Sequence, residues 1–464
     1  MPAVSALVLG LWGIDRQDSM WRDESVTYQV AHRSLGELWD LLGTIDAVHG
    51  LYYLLMHAVF ALWDGGLTAL RLPSTVATAL AAAGVGSIGA RLAGPRAGTL
   101  AGLVFVLLPV TQQYAQEGRS YALVTAAVTW ATYAFLRGIG ADRRPWWAMY
   151  ALLLALGCWL HAFAALVLVA HGLTLWWLRG THRVWRRWGA ASAGVLVTVV
   201  PLAVVGAGQA DRQLGWLGRP GLALWLQFLA TVAVGVLLCR FLGRGLLASL
   251  ALPVLVVPAG LLMAVSLVTP WYVERYVLYG MTGLALLAGA ALDRAVGLRR
   301  RFAPAVRTLI AGGLAAAAVA VLLPWSLLVR SPESRKDDVV ALAHAVEHAA
   351  RPGDGVLFMP ARRREWLLSY PSLHGRLDDL ALAESPVRSR TLQGTELPAE
   401  TIRRRILASD RVIVLSDLPG EPLDPFAREL VKRQTLKAYF QICERTRLRG
   451  GQVIVYARDG RCAR

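Results

Sequence analysis

The chain has 464 residues, is 56% hydrophobic and has a mean hydropathy of +0.47. Soluble globular chains rarely look like this. Its formal charge of +17 would suit a nucleic-acid partner. However, before residue 330 the arginines cluster in short loops between apolar runs, which is the signature of membrane orientation and not of nucleic-acid binding. The four cysteines have no metal-ligand spacing, and no Gly-rich phosphate loop is present.

In chain order, residues 3–14 are a short apolar run with no basic flank or cleavage site after it, so they read as a first transmembrane helix and not a signal peptide. Residues 15–64 then carry eight acids (Asp15, Asp18, Asp23, Glu24, Glu37, Asp40, Asp46, Asp64) and three arginines. Such an acidic stretch belongs on the outer face. Within it stands Trp21-Arg22-Asp23-Glu24-Ser25. Two adjacent carboxylates beside a membrane segment are costly unless they serve a wet site. They could equally cap the next helix. Ser34 opens a second short helix, and Asp46 to Gly50 breaks it. The apolar run 51–63 is short for a span and reads as a helix lying in the outer interface.

Further apolar runs follow at about 74–90, 97–114, 120–137, 145–160, 162–178, 189–207, 222–240, 246–268, 277–296 and 308–328. With 51–63 outside the count there are about eleven spans. The basic loops at Arg91–Arg96, Arg137–Arg144, Arg179–Arg187, Arg240–Arg244 and Arg294–Arg307 then all fall inside. This topology gathers four polar stretches on the outer face. They are the 15–64 loop, Gln116 to Tyr121 (with Glu117 and Arg119), the 208–220 loop (Gln209, Asp211, Arg212, Trp216, Arg219), and Trp271 to Tyr276. His161 joins them at the turn between the fifth and sixth spans. The Trp146-Trp147 and Trp176-Trp177 pairs suit an interfacial belt.

From residue 330 the character changes, and the last 135 residues hold 24 of the 48 basic residues. Strands at 356–360, 411–415 and 452–458 alternate with helices near 337–350, 398–408 and 424–439. That pattern predicts a small α/β domain. Two strands are expected to turn about Gly450-Gly451, with Cys443 and Cys462 close enough to pair in an oxidising compartment. The expected domains are therefore 1–329, with an outer loop over 15–73, and an extracytoplasmic 330–464.

A carboxylate on the outer face can take a proton from a hydroxyl. An Arg can hold a phosphate in its planar fork. Together they would equip the chain to move a sugar from a lipid phosphate to a hydroxyl. Arg119 and Arg275 are the phosphate candidates, or else they snorkel to the interface. His49 and His161 either serve that site or close helix ends. They could hold a divalent cation with Glu24 or Asp46, though no spacing is diagnostic, and Tyr52 could stack on a sugar.

WRDES, DAVHGLYYLLMH, ALRLPS, QEGRSYAL and ERYVL, in this order, resemble glycosyltransferase family 39 and related C-type membrane glycosyltransferases. These include protein O-mannosyltransferases and the lipid A aminoarabinose transferase. The resemblance covers about residues 3–330. It implies a polytopic α-helical membrane fold and inverting transfer from a polyprenyl-phosphate sugar, with mannose or a related sugar the leading candidate. The acceptor would be a glycan, lipid or protein hydroxyl, reached on the outer face of the cytoplasmic membrane. Asp23 maps to the family's catalytic base, beside Glu24. His49-Gly50-Leu51 maps to its His-Pro-Pro-Leu element without the prolines. Arg119 maps to its Arg-Tyr of the second outer loop and Arg275-Tyr276 to the late Arg-Tyr. The rival class is a transporter or flippase of lipid-linked sugars, which would place charge at span midpoints and show repeated halves. The spans here are almost free of charge at their centres.

Overall fold

The computed structural model of the chain describes residues 1–141, 143–214, 218–299, 304–458 and Cys462. The chain forms two compact units. The first comprises Met1–Ile14, Asp46–Tyr52 and Arg71–Val329. The second comprises Asp15–Ile45, Tyr53–Leu70 and Arg330–Arg464. The 15–73 loop is thus divided: most of it clusters with the C-terminal region, while Asp46–Tyr52 belongs with the membrane helices.

The first unit is a helical assembly. Among the described residues, six helices are long and apolar enough to cross a bilayer, or seven if a bent pair counts as one span. The expected count of eleven is therefore not reached by length and composition. Part of the reason is local: the first helix is only Pro2–Leu11, Arg144–Leu160 has 17 residues, and the sixth expected span is the short apolar segment Ala162–Trp177. Ten helical residues rise only about 15 Å. The expected 97–114 span is also not straight. Pro95–Leu107 and Pro109–Ala115 meet at 68°, because Pro109 pushes Leu108 out of the helical region (ψ 128°). The expected 189–207 span extends to His182–Leu214. Trp216 and the side chains of Asp211 and Arg212 lie outside the described residues. Trp176 and Trp177 are exposed as a belt requires, but Trp147 is buried. It packs edge-on against Phe135 and fills the space left by Gly138.

In the second unit the described residues of the C-terminal region form seven strands: β1 (Gly355–Met359), β2 (Asp378–Asp379), β3 (Leu382–Glu384), β4 (Thr395–Glu396), β5 (Arg411–Ser416), β6 (Gln441–Leu448) and β7 (Gly451–Ala457). The main sheet has the order β2-β1-β5-β7-β6. β1 runs parallel to β2 and β5, whereas β7 is antiparallel to β5 and β6. The helices Ala399–Ala408 and Ala427–Tyr439 cover one face. They seal a core of Leu357, Ile402, Ile406, Val412, Val414, Leu436 and Ile454. Alternation in β5 and β7 supplies that face, as period-two strands do. Lys432 is fully buried, and its ammonium donates to the Phe358 carbonyl, Glu396 and Glu429 at 2.8–2.9 Å. Cys443 and Cys462 are disulfide-bonded, as the hairpin reading anticipated.

Candidate functional site

In the first unit, residues from four separated segments converge. Asp46 takes a left-handed backbone conformation (φ 62°), which Asp tolerates better than most residues. Its carbonyl accepts from the His49 amide at 2.9 Å and so starts the single turn Ala47–His49. Gln209 fixes this turn by accepting the Ala47 N–H at 3.0 Å. The next residues enter the helix Gly50–Leu62, in which Tyr52 is fully buried.

Arg119 lies in the turn 116–120, which is held from behind. The Ser74 hydroxyl donates to the carbonyls of Glu117 (2.6 Å) and Arg119 (3.0 Å). The Gln116 amide donates to the carbonyls of Gly10 and Trp12 at 3.0 and 2.6 Å. Glu117 is buried in the same turn. The Arg119 guanidinium then donates to His49 Nε2 at 2.8 Å. Because Arg stays protonated, that contact fixes Nε2 as the acceptor and leaves the proton on Nδ1.

His161 interrupts the chain between the helix Arg144–Leu160 and the turn Ala162–Ala165 with extended backbone (φ −165°, ψ 119°). It is buried, its ring lies tilted with its centroid 4.5 Å from that of Tyr276, and it is 6.1 Å from the His49 ring. Its Nδ1 is buried with no hydrogen-bond partner among the described residues. Arg275 donates to the Tyr121 hydroxyl at 3.0 Å and packs over the Tyr121 and Tyr276 rings. Tyr121, expected as the companion of Arg119, is thus the partner of Arg275. Burial, reinforced by Arg119, His161 and Arg275, holds the His49 imidazole well below its usual range. Burial, then Arg119 and Arg275, pushes His161 down to about 3. The cluster therefore presents two fixed cations, two neutral imidazoles and two tyrosine rings.

The paired carboxylates belong to the second unit. Glu24 is fully buried and pairs with the equally buried Arg16 at 3.2 Å. It also reaches back to the Trp21 amide at 3.5 Å, so it closes the start of the helix Arg22–Ala31. Asp23 is half-buried on the same first turn. Sequence reasoning missed their surroundings: Arg16 under Glu24, and Asp337 and Glu365 beside Arg22. The only signal for the latter was the unusual Asp337-Asp338 pair. Among the described residues no group of three or more His, Cys, Asp or Glu could hold a metal ion.

This fold is that of the C-type membrane glycosyltransferases. Residues 50–206 match the family described as dolichyl-phosphate-mannose-protein mannosyltransferase, and the resemblance read from the sequence holds there. ArnT from Cupriavidus metallidurans in the apo state superposes with a TM-score of 0.61 at 14% identity, covering 98% of this chain and 97% of that one. ArnT bound to undecaprenyl phosphate gives 0.55 at 15% identity over 98% and 97%. The mycobacterial arabinofuranosyltransferase AftD gives 0.52 at 16% identity over 98% of this chain and 41% of its own. No curated protein matches the sequence.

Proposed function

We propose that this chain is a membrane glycosyltransferase that moves a sugar from a polyprenyl-phosphate donor to a hydroxyl, with inversion at the anomeric carbon. The observation that carries the reading is the convergence of Arg119, Arg275, His49, His161, Tyr121 and Tyr276 on one cluster of cations, imidazoles and rings. In the reaction the acceptor oxygen bonds to the anomeric carbon and the bond from that carbon to the phosphate oxygen breaks. The phosphate leaves with the electron pair and an added negative charge. Arg119 and Arg275 stabilise that charge through charge-assisted hydrogen bonds. His161 turns a neutral N–H donor toward the same oxygens. Asp23 takes the acceptor's proton as general base. Glu24, locked to Arg16, supports the turn that carries Asp23 and stays out of the chemistry.

Mannose or a related sugar is the preferred donor group, because the matching family is named for mannose and covers the segment with Arg119 and His161. The acceptor is a glycan, lipid or protein hydroxyl. The chain sits in the cytoplasmic membrane with the sugar chemistry and residues 330–464 outside. The transporter reading draws no support from the fold. Purified protein given polyprenyl-phosphate mannose and membrane extract should release polyprenyl phosphate and label a membrane product. Release without any labelled product would count against transfer. For the orientation, reporter fusions at Gly140, Gly243 and Gly353 should read inside, inside and outside, and an inside reading at Gly353 would overturn it.

A further inference from the structure

The helix Arg22–Ala31 begins without a side-chain cap of its own, since its N-cap is Trp21. The first four amides of any helix lack internal partners. Here the missing acceptor comes from 315 residues away: the Arg22 N–H donates to Asp337 Oδ1 at 2.7 Å. Three further ties reach the same turn. The Arg22 guanidinium donates to Glu365 at 3.0 Å. The Ser25 hydroxyl lies 2.6 Å from the Ser369 hydroxyl, and that hydroxyl also reaches the Ser25 carbonyl at 3.1 Å. The Val339 N–H donates to the Met20 carbonyl at 2.7 Å. Residues 20, 22 and 25 are therefore all fastened to the C-terminal region, and they bracket Asp23.

The neighbouring carboxylates of the C-terminal region divide the work. Asp338 caps its own helix by accepting the Val340 and Ala341 amides at 3.1 and 3.2 Å. Asp337 turns instead to the helix of Asp23. Its position is set by the β6–β7 turn. Gly450 has φ +80°, and a Cβ there would fall 2.2 Å from the Asp337 Cβ. Only a glycine fits both the backbone and the contact. Glu365 and Ser25 are almost wholly buried, so the Ser25 ties are shielded from water, while the Arg22 guanidinium stays partly exposed.

We propose that Asp337, with Glu365, is a positioning residue for Asp23: the C-terminal region clamps the first turn of the helix that carries the proposed base and so sets its aim. This inference rests on the glycosyl-transfer reading above and extends it. Misplacing a reacting group by about an ångström can cost on the order of 100-fold in rate. Full-length Asp337→Ala protein, assayed with polyprenyl-phosphate mannose, should lose about tenfold or more in kcat while the KM for donor stays within about twofold. Asp337→Asn keeps an acceptor oxygen for the Arg22 amide and should recover most of the rate. In an Asp23→Asn background, Asp337→Ala should add no further loss, because nothing remains to be aimed.

Hydrogen exchange gives a readout that needs no turnover. The amides of Arg22 to Ser25 should exchange faster in Asp337→Ala while the sheet stays protected. Should Asp337→Ala fail to fold, Glu365→Gln carries the same kinetic and exchange tests. An Asp337→Ala enzyme with wild-type kcat and unchanged exchange, alongside an inactive Asp23→Asn, would overturn the clamp and leave the base assignment standing. A fully active Asp23→Asn would overturn the base assignment itself, and the clamp with it.

Discussion

The two units solve the problem of buried charge in opposite ways. In the first unit the two imidazoles beside Arg119 and Arg275 are uncharged: His49 and His161 are held neutral by burial and by the two cations. In the second unit, charge is buried as matched pairs. Arg16 faces Glu24, Arg364 faces Asp379 and Glu396, and Lys432 faces Glu396 and Glu429. In the proposed reading, cations set beside neutral imidazoles hold an anionic ligand. A set of closed ion pairs fixes backbone geometry and leaves little capacity for binding. Under the proposed function the first unit recognises the phosphate and the second supports a rigid turn.

The contrast breaks most sharply at Glu24. Removing one partner of a buried pair typically costs about 3–5 kcal/mol, because the other charge is stranded. Glu24→Ala should therefore lower the melting temperature strongly, and so should Arg16→Met. Replacing both by apolar residues should recover much of the loss. If Glu24→Gln instead folds like wild type but is inactive, Glu24 and not Asp23 is the base. A smaller effect is expected in the first unit. Arg119→Ala or Arg275→Ala should leave the fold intact and lower kcat/KM for the donor by about 10- to 100-fold, the loss of one charged hydrogen bond of about 1.5–3 kcal/mol. Arg275→Lys should not restore it, since a point charge lacks the planar fork. Equal losses for a donor and for a phosphate-free sugar would contradict phosphate recognition.

The mildest separation is by pH. His161 falls to about 3 in the fold from an ordinary 6.5, so its contribution to stability is present above 6.5 and is lost as pH drops below it. Burial pushes Asp337 up to about 6 against the pull of the Arg22 amide, and Asp23 adds to the rise. Its protonated form is favoured in the fold, so its contribution is largest below its ordinary 3.8 and is lost as pH rises through 6. Acidifying from about pH 7 to about pH 4.5 should thus loosen the segment around His161 and tighten the start of the helix Arg22–Ala31. Hydrogen exchange resolved by segment measures both. His161→Gln and Asp337→Asn should each remove one of the two responses.

Much of this architecture is legible in the residues. The three long C-terminal strands follow from alternating Val, Ile and Leu, and the β6–β7 turn from Gly450-Gly451. The break at His161 between two apolar runs is legible as well. What stayed hidden depends on tertiary contacts or on single residues within strong periodic signals. Pro109 bends a run that hydropathy alone joins into one span. β2 and β4 are two residues each, too short for any period to show. The candidate site residues were visible by type, because carboxylates, Arg and His crowd one set of loops. Their pairing was not: Arg119 with His49, Arg275 with Tyr121 and Arg22 with Asp337 span 70, 154 and 315 residues. No local pattern encodes contacts at such separation.

Under the proposed function Asp23 takes the acceptor proton during sugar transfer. The direct test compares single-turnover transfer from polyprenyl-phosphate mannose by wild-type and Asp23→Asn protein, each checked for an unchanged melting temperature. Asparagine keeps the shape and hydrogen bonding of the side chain but cannot act as the base. The account expects transfer to fall by about two orders of magnitude or more, with donor binding retained. Undiminished single-turnover transfer by Asp23→Asn would contradict it.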